Sequence, residues 1–277
     1  MRVVIGVDPS EEAVAAVEQV GLLYRPDEVV LVHGVALPTA ANTQRYNAIR
    51  QALMETGRQA IERCRTLLPA ETPSIRTLHE IQDPASFILD SADTVKADLI
   101  AVGTRGHSRA VALFIGSVSH QVLLHTTVPI LIVKGKARPV TRILMAVEGQ
   151  EDAARLQTWL TAHPFKNPVA VTILSVVPPL QNIGTQLMGE LEVWSEQNKR
   201  DAEQVLNDTA QALASPHFAV STDVRLGDPV MTVCEVGTNH DLIVISSHGR
   251  KGLSRLMMGS VSEGIVHGAD CSVLVVR

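Results

Sequence analysis

Short β-branched runs recur along the chain, and between them lie longer stretches in which apolar residues return every three or four positions. In the first half the runs predict strands at 2–7, 28–35, 74–80, 98–103 and 129–133, each bounded by Asp, Gly or Pro. The intervening stretches predict helices at 10–23, 42–68, 84–96 and 116–126. Ser10 followed by Glu11 and Glu12 is a helix start, and Pro84 after Asp83 pre-sets the first turn of another. The second half predicts strands at 142–147, 168–177, 219–225, 241–246 and 272–276. Strands that alternate with helices are parallel and joined by right-handed crossovers, so each half is expected to be a doubly wound, Rossmann-like sheet with helices on both faces. Ligands of such sheets bind beyond the carboxyl ends of the strands, where the order of strand addition reverses.

The two halves are copies of one another. Arg2 to Asp8 lies over Arg142 to Glu148 at an offset of 140, and Asp98 to Val102 lies over Asp241 to Ile245 at 143. The second offset also aligns Gly116-Ser117-Val118-Ser119 with Gly259-Ser260-Val261-Ser262. A period this long is a domain duplication rather than a solenoid repeat. Gly135 and Pro139 mark the junction, giving expected domains at 1–138 and 139–277.

Composition narrows the function classes. The 277 residues are 45% hydrophobic but only 3% aromatic, so the apolar weight is aliphatic, as buried parallel strands require. Net charge is −5 with no basic run, which argues against nucleic acid as a partner. That charge is uneven: residues 1–138 balance 14 basic against 14 acidic groups, and 139–277 hold 10 against 15. Cys64, Cys234 and Cys271 have no C-x-x-C spacing and read as inert thiols in a reducing compartment. The N-terminal apolar run is too short for a signal-peptide core, and no run approaches the roughly 18 residues of a membrane span. The expectation is a soluble, cytoplasmic protein.

The candidate chemistry follows the fourth strand of the first half. There Gly103-Thr104-Arg105-Gly106, nine further residues and Gly116-Ser117 make a G-x2-G-x9-G-S loop. Gly103 and Gly106 are expected to supply positive φ and room for a ligand against the backbone. Gly116-Ser117-Val118-Ser119 opens a helix, whose free amides and dipole attract an anion, with serine hydroxyls as added donors. Asp8, after Val7 at the end of the first strand, sits across the switch point, where a carboxylate suits ribose hydroxyls or phosphate-bound Mg²⁺. The same Asp8 in front of Pro9-Ser10 equally suits a helix cap. The loop is neither a Walker A motif nor the G-x-G-x-x-G fingerprint.

With these residues the sequence resembles the universal stress protein family in its tandem two-domain form. The resemblance is best from Ser247-His248-Gly249-Arg250 into Gly259-Ser260-Val261-Ser262. It implies five-stranded domains of order 3-2-1-4-5, the adenine nucleotide alpha hydrolase-like fold. It implies ATP held through the glycine loop, here Val102, Gly103, Gly106 and Gly116 to Ser119, and the expected cofactor is ATP with Mg; Arg105 and Arg250 suit neutralising phosphate charge, and equally suit solvated loop arginines. It places Val7 and Asp8 near the ribose and the backbone around Val35 near the adenine. It also implies pairing of the two domains through their last strands, with association of two chains left open.

The second half departs from the pattern, with Glu148 at the position of Asp8 and Ser246 at that of Gly103. A serine at positive φ would cost energy, and the longer Glu148 crowds a ribose. His248, Gly249, Gly259, Ser260, Val261 and Ser262 complete this second, eroded site. His107 and His248 read as exposed loop histidines, His33 as a core or cleft-lining one, and Met188, Leu191 and Trp194 as core packing. No Ser-His-Asp, Cys-His or metal-ligand spacing can be assigned, so the expectation is ATP binding in stress regulation, with slow hydrolysis at most a secondary property. The alternatives are a nucleotide-independent scaffold and an ATP-consuming enzyme whose base the sequence does not name.

Overall fold

In each half the amino end of the first strand is pinned to the fourth by one aspartate. Asp98 Oδ2 accepts the Arg2 amide at 2.6 Å, and Asp241 Oδ2 accepts the Thr141 amide, the Thr141 hydroxyl and the Arg142 amide, each at 2.9 Å. The computed structural model describes residues 1–37, 44–104, 115–179, 188–247 and 258–277, with backbone alone at 44–45 and 188–194. It divides into two compact units, Met1–Pro139 and Val140–Arg277.

The first unit runs β1 (Arg2–Gly6), α1 (Glu11–Leu23), β2 (Glu28–Gly34), α2 (Gln44–Arg65), β3 (Ser74–Glu80), α3 (Pro84–Val95), β4 (Leu99–Gly103), α4 (Ser117–His125) and β5 (Ile130–Val133). The second repeats it with β6 (Arg142–Ala146), α5 (Gln150–Ala162), β7 (Val169–Val177), α6 (Met188–Leu213), β8 (Phe218–Leu226), α7 (Pro229–Gly237), β9 (Leu242–Ser246), α8 (Ser260–Gly268) and β10 (Ser272–Val276). Strand order within the first unit is β3-β2-β1-β4-β5, all parallel, and within the second β8-β7-β6-β9-β10, all parallel. The expected doubly wound sheets and their order are therefore present.

Caps follow the sequence. Ser10 caps α1 by accepting the Ala13 amide, and Asp83 and Asp228 cap α3 and α7 in front of Pro84 and Pro229. Each such cap contributes about 1 kcal/mol. Strands β1, β4, β5, β6 and β9 are buried on both faces: Val3, Val4, Ile5, Leu99, Ile100, Leu131, Ile143, Leu144, Ile243 and Val244 are fully enclosed. Burying each such side chain stabilises the fold by roughly 1.5–3 kcal/mol. The outer strands β3 and β8 are less covered, with Arg76, Thr77 and Glu80 of β3 and Ala219, Ser221, Thr222, Arg225 and Leu226 of β8 exposed.

Cys64 and Cys271 are buried, Cys234 is half-buried, and none is in a disulfide. Burial pushes the Cys64 thiol up to about 11, in keeping with an inert core residue. His33 on β2 is also a core residue. It pairs in register with His79 on β3, the rings meeting edge to face at 4.9 Å. Gly57 of α2 makes room for them, since a Cβ there would lie 2.6 Å from His79 Nε2 and 2.8 Å from His33 Cε1.

Candidate functional site

The carboxyl ends of β1 and β4 lie side by side where strand addition reverses, and the segments leaving them hold the candidate residues. Thr104 follows β4. Its amide donates to the Val133 carbonyl at 3.1 Å and its carbonyl accepts the Gly116 amide at 2.5 Å, so both ends of the glycine loop are tied together. Ser247 and Gly259 repeat the tie in the second unit, with Ser247 donating to Val276 and accepting from Gly259, both at 2.9 Å.

Gly116 is the N-cap of α4, extended at φ −61° and ψ 154°, and contributes no side chain to the first turn. The first intrahelical bond there is His120 to Gly116 at 2.9 Å, which leaves the amides of Ser117, Val118 and Ser119 for an outside acceptor. Ser117 is exposed and Val118 half-buried. The expectation that serine hydroxyls add donors divides here. Ser119 is buried and its hydroxyl donates to the Gly103 carbonyl at 2.6 Å, while Ser262 donates to the Ser246 carbonyl at 2.8 Å. A hydroxyl has one proton, so Ser119 offers an anion its backbone amide. Ser260 and Val261 are exposed at the matching turn of α8.

Gly103 serves a different end from the one expected. Among the described residues only Gly135, Gly227 and Lys96 have positive φ, so neither Gly103 nor Ser246 is left-handed, and Ser246 incurs no such strain. What Gly103 provides is close approach of α1: a Cβ would lie 2.6 Å from the Glu12 carbonyl oxygen and 2.7 Å from its carbon. Asp8 makes the local interaction its position allows. Its Oδ1 accepts the Ser10 amide at 2.9 Å and also the Ser10 hydroxyl, so the carboxylate is oriented by the turn that starts α1 and stays half-exposed. Val7 and Val102 are buried, at 6% and 3% exposure, and form apolar walls at the ends of β1 and β4. Val35 is buried and its amide donates to Glu80 at 2.9 Å, so a base at this point would meet the carbonyl. Arg105, Gly106, His107, His248, Gly249 and Arg250 lie outside the described residues, as do the side chains of Met188, Leu191 and Trp194.

The second unit holds a residue that sequence reasoning passed over. Asp152 on α5 is only 8% exposed; its Oδ2 accepts the Glu148 amide at 2.9 Å, and it lies beside the Ser246 hydroxyl. Burial raises its pKa, against the lowering effect of Ser246, the Glu148 amide and Arg155. Glu148 itself is exposed. The signal for Asp152 was the 140 offset, which places it over Glu12 and so opposite the Gly103 position.

The family described as the universal stress protein family matches residues 1–134 and again 139–277. A universal stress protein of Mycolicibacterium smegmatis is 25% identical over 299 aligned positions, covering 99% of this chain and 96% of that protein. One from Mycobacterium tuberculosis is 24% identical over 305 positions, covering 100% and 96%. The crystal structure of a universal stress protein from Archaeoglobus fulgidus superposes with a TM-score of 0.64 at 19% identity, covering 100% of this chain and 96% of that one, a likeness of fold.

Proposed function

The chain belongs to the universal stress protein family, in its tandem form, and from that premise we propose that it is a cytoplasmic regulator of the stress response that binds ATP in its first unit. The observation that carries this reading is the tied loop base. Thr104 and Gly116 fix the start of α4 at the end of β4, leaving three amides of the first turn for an anion. The residues fit a magnesium nucleotide. Backbone amides of 117–119 would take phosphate oxygens, and the half-exposed Asp8, held by Ser10, would face the ribose or the ion. The three reduced cysteines suit a reducing compartment, and among the described residues no helix is long and apolar enough to cross a membrane.

A partner that reads the nucleotide-bound form of the first unit would respond to ATP. Turnover is secondary in this reading, because the sequence offers no assignable nucleophile and base arrangement. Isothermal titration of the nucleotide-free chain with ATP and Mg²⁺ tests it. Saturable binding that Gly116→Glu abolishes without unfolding the protein is expected, and no heat from the unaltered chain overturns it. A nucleotide-independent scaffold is the second reading, and the Ser10-bound, cap-like state of Asp8 is the observation that favours it. Nucleotide copurifying in the first unit would exclude it.

A further inference from the structure

The crevice of the second unit differs from the first in what lies between its strand ends. In the first unit, Gly103 lets the backbone of α1 pack directly on β4, and the Glu12 side chain is half-exposed. In the second, Ser246 stands at the end of β9, and the side chain facing it is the carboxylate of Asp152. That carboxylate is enclosed. Oδ2 is held by the Glu148 amide following β6, and Oδ1 is closed to solvent with no hydrogen-bond partner. It therefore lies in the floor between the carboxyl ends of β6 and β9, the position where this fold receives a ligand.

We infer that Asp152 is the specificity determinant that closes the second crevice to nucleoside polyphosphates, so that one chain takes up one nucleotide, in its first unit. This rests on the nucleotide reading of the first unit. An enclosed carboxylate repels a polyphosphate with little screening, because neither water nor salt ions surround it. It gives nothing in return. A ribose hydroxyl cannot reach an Oδ1 that is sealed off without moving α5, and an ionised phosphate has no proton to donate to it. Of the charges around Asp152, Glu148, on the chain leaving β6, adds a second negative group, and Arg155, on α5 itself, offsets part of the Asp152 charge. The amides at the start of α8 and the Ser247–Gly259 tie remain in place. The second unit thus keeps the anion-binding scaffold but carries a charge of the wrong sign beneath it.

Native mass spectrometry of the full chain across a titration with ATP and Mg²⁺ counts the bound nucleotides. One tightly held nucleotide is expected, with any second at least tenfold weaker. Two of equal affinity overturn the inference, whereas none at all overturns the first-unit reading on which it rests. In a chain carrying Gly116→Glu, where only the second unit is intact, Asp152→Asn and Asp152→Ser are each expected to raise affinity at least tenfold. Circular dichroism and a thermal melt establish that each variant is folded. If the folded variants bind no better than their Gly116→Glu parent, Asp152 is not the determinant.

Discussion

The Ser119 hydroxyl donates to the Gly103 carbonyl at 2.6 Å, sixteen residues back along the chain, and Ser262 makes the same bond to Ser246 at 2.8 Å. Both serines are buried, so each bond fastens the first turn of a helix to the last residue of the preceding strand. Ser119→Ala leaves that carbonyl without its partner and is expected to cost about 1–2 kcal/mol, with Ser262→Ala costing a similar amount. Thermal unfolding monitored for both units would register it. An unchanged melt would mean that the hydroxyl has no fastening role.

Gly103→Ala sets a methyl group against main-chain atoms of Glu12, 2.6 Å from its carbonyl oxygen, which cannot swing aside as a side chain does. A loss of roughly 1–3 kcal/mol is expected, typical of overpacking. The comparison is Ser246→Gly in the second unit, which removes a small side chain and creates no clash. Calorimetric melts of the two variants should differ in this direction.

At Gly57 two effects oppose. Alanine in a helix interior is favoured over glycine by about 1 kcal/mol, but here its Cβ would lie 2.6 Å from His79 Nε2. A second contact, 2.8 Å from His33 Cε1, acts the same way, so Gly57→Ala is expected to destabilise the unaltered protein and to stabilise a background in which His33 and His79 are both alanine. A mutant cycle in denaturant gives the sign in each case.

Two groups set opposite pH trends. Asp152 is raised by burial, so between the ordinary carboxylate value near about 3.9 and its folded value the native protein holds a proton that the unfolded chain releases. Its contribution to stability falls as pH rises across that window. Asp152→Asn keeps an acceptor for the Glu148 amide and should gain stability relative to the parent as pH climbs above about 4. His79 is lowered by burial, so the unfolded chain takes up its proton first as pH falls below about 6.5, and the native state loses stability there. His79→Gln should remove that part of the acid sensitivity in melts taken from pH 7 to 5.

The cysteines give a simple chemical check. Cys64 is 1% exposed with its thiol pushed up to about 11, and Cys271 is also buried, while Cys234 is half-buried. Alkylation at pH 8 followed by peptide mass spectrometry should modify Cys234 first and leave Cys64 intact until urea is added.

The fold was legible because its signals are local and doubled. Aliphatic runs mark the strands in both halves, Asp83-Pro84 and its copy Asp228-Pro229 mark helix starts, and Ser10 marks another that has Gly149 as its counterpart cap in the second half. Roles at the candidate site were harder to read because they depend on contacts distant in sequence. Gly103 looked like a glycine needed for backbone freedom, but its requirement comes from α1, ninety-one residues earlier at Glu12. Ser119 reads in sequence as a ligand donor, but its hydroxyl proton is committed to the Gly103 carbonyl. Asp152 reads in sequence as an ordinary first-turn acid, and only its burial against Ser246 gives it an electrostatic meaning.

The Thr104–Gly116 bond and its twin at Ser247–Gly259 have a consequence for how such a protein can diversify. Eleven residues lie between the tied pair in each unit, and their sequences differ at most positions while the ends are held by the same backbone contact. The entropy of closing a chain segment between fixed ends grows slowly with its length, by about 0.6 kcal/mol for each doubling. Substitution, insertion or deletion between those posts can therefore change what the crevice accepts while the sheet and its helices stay in register.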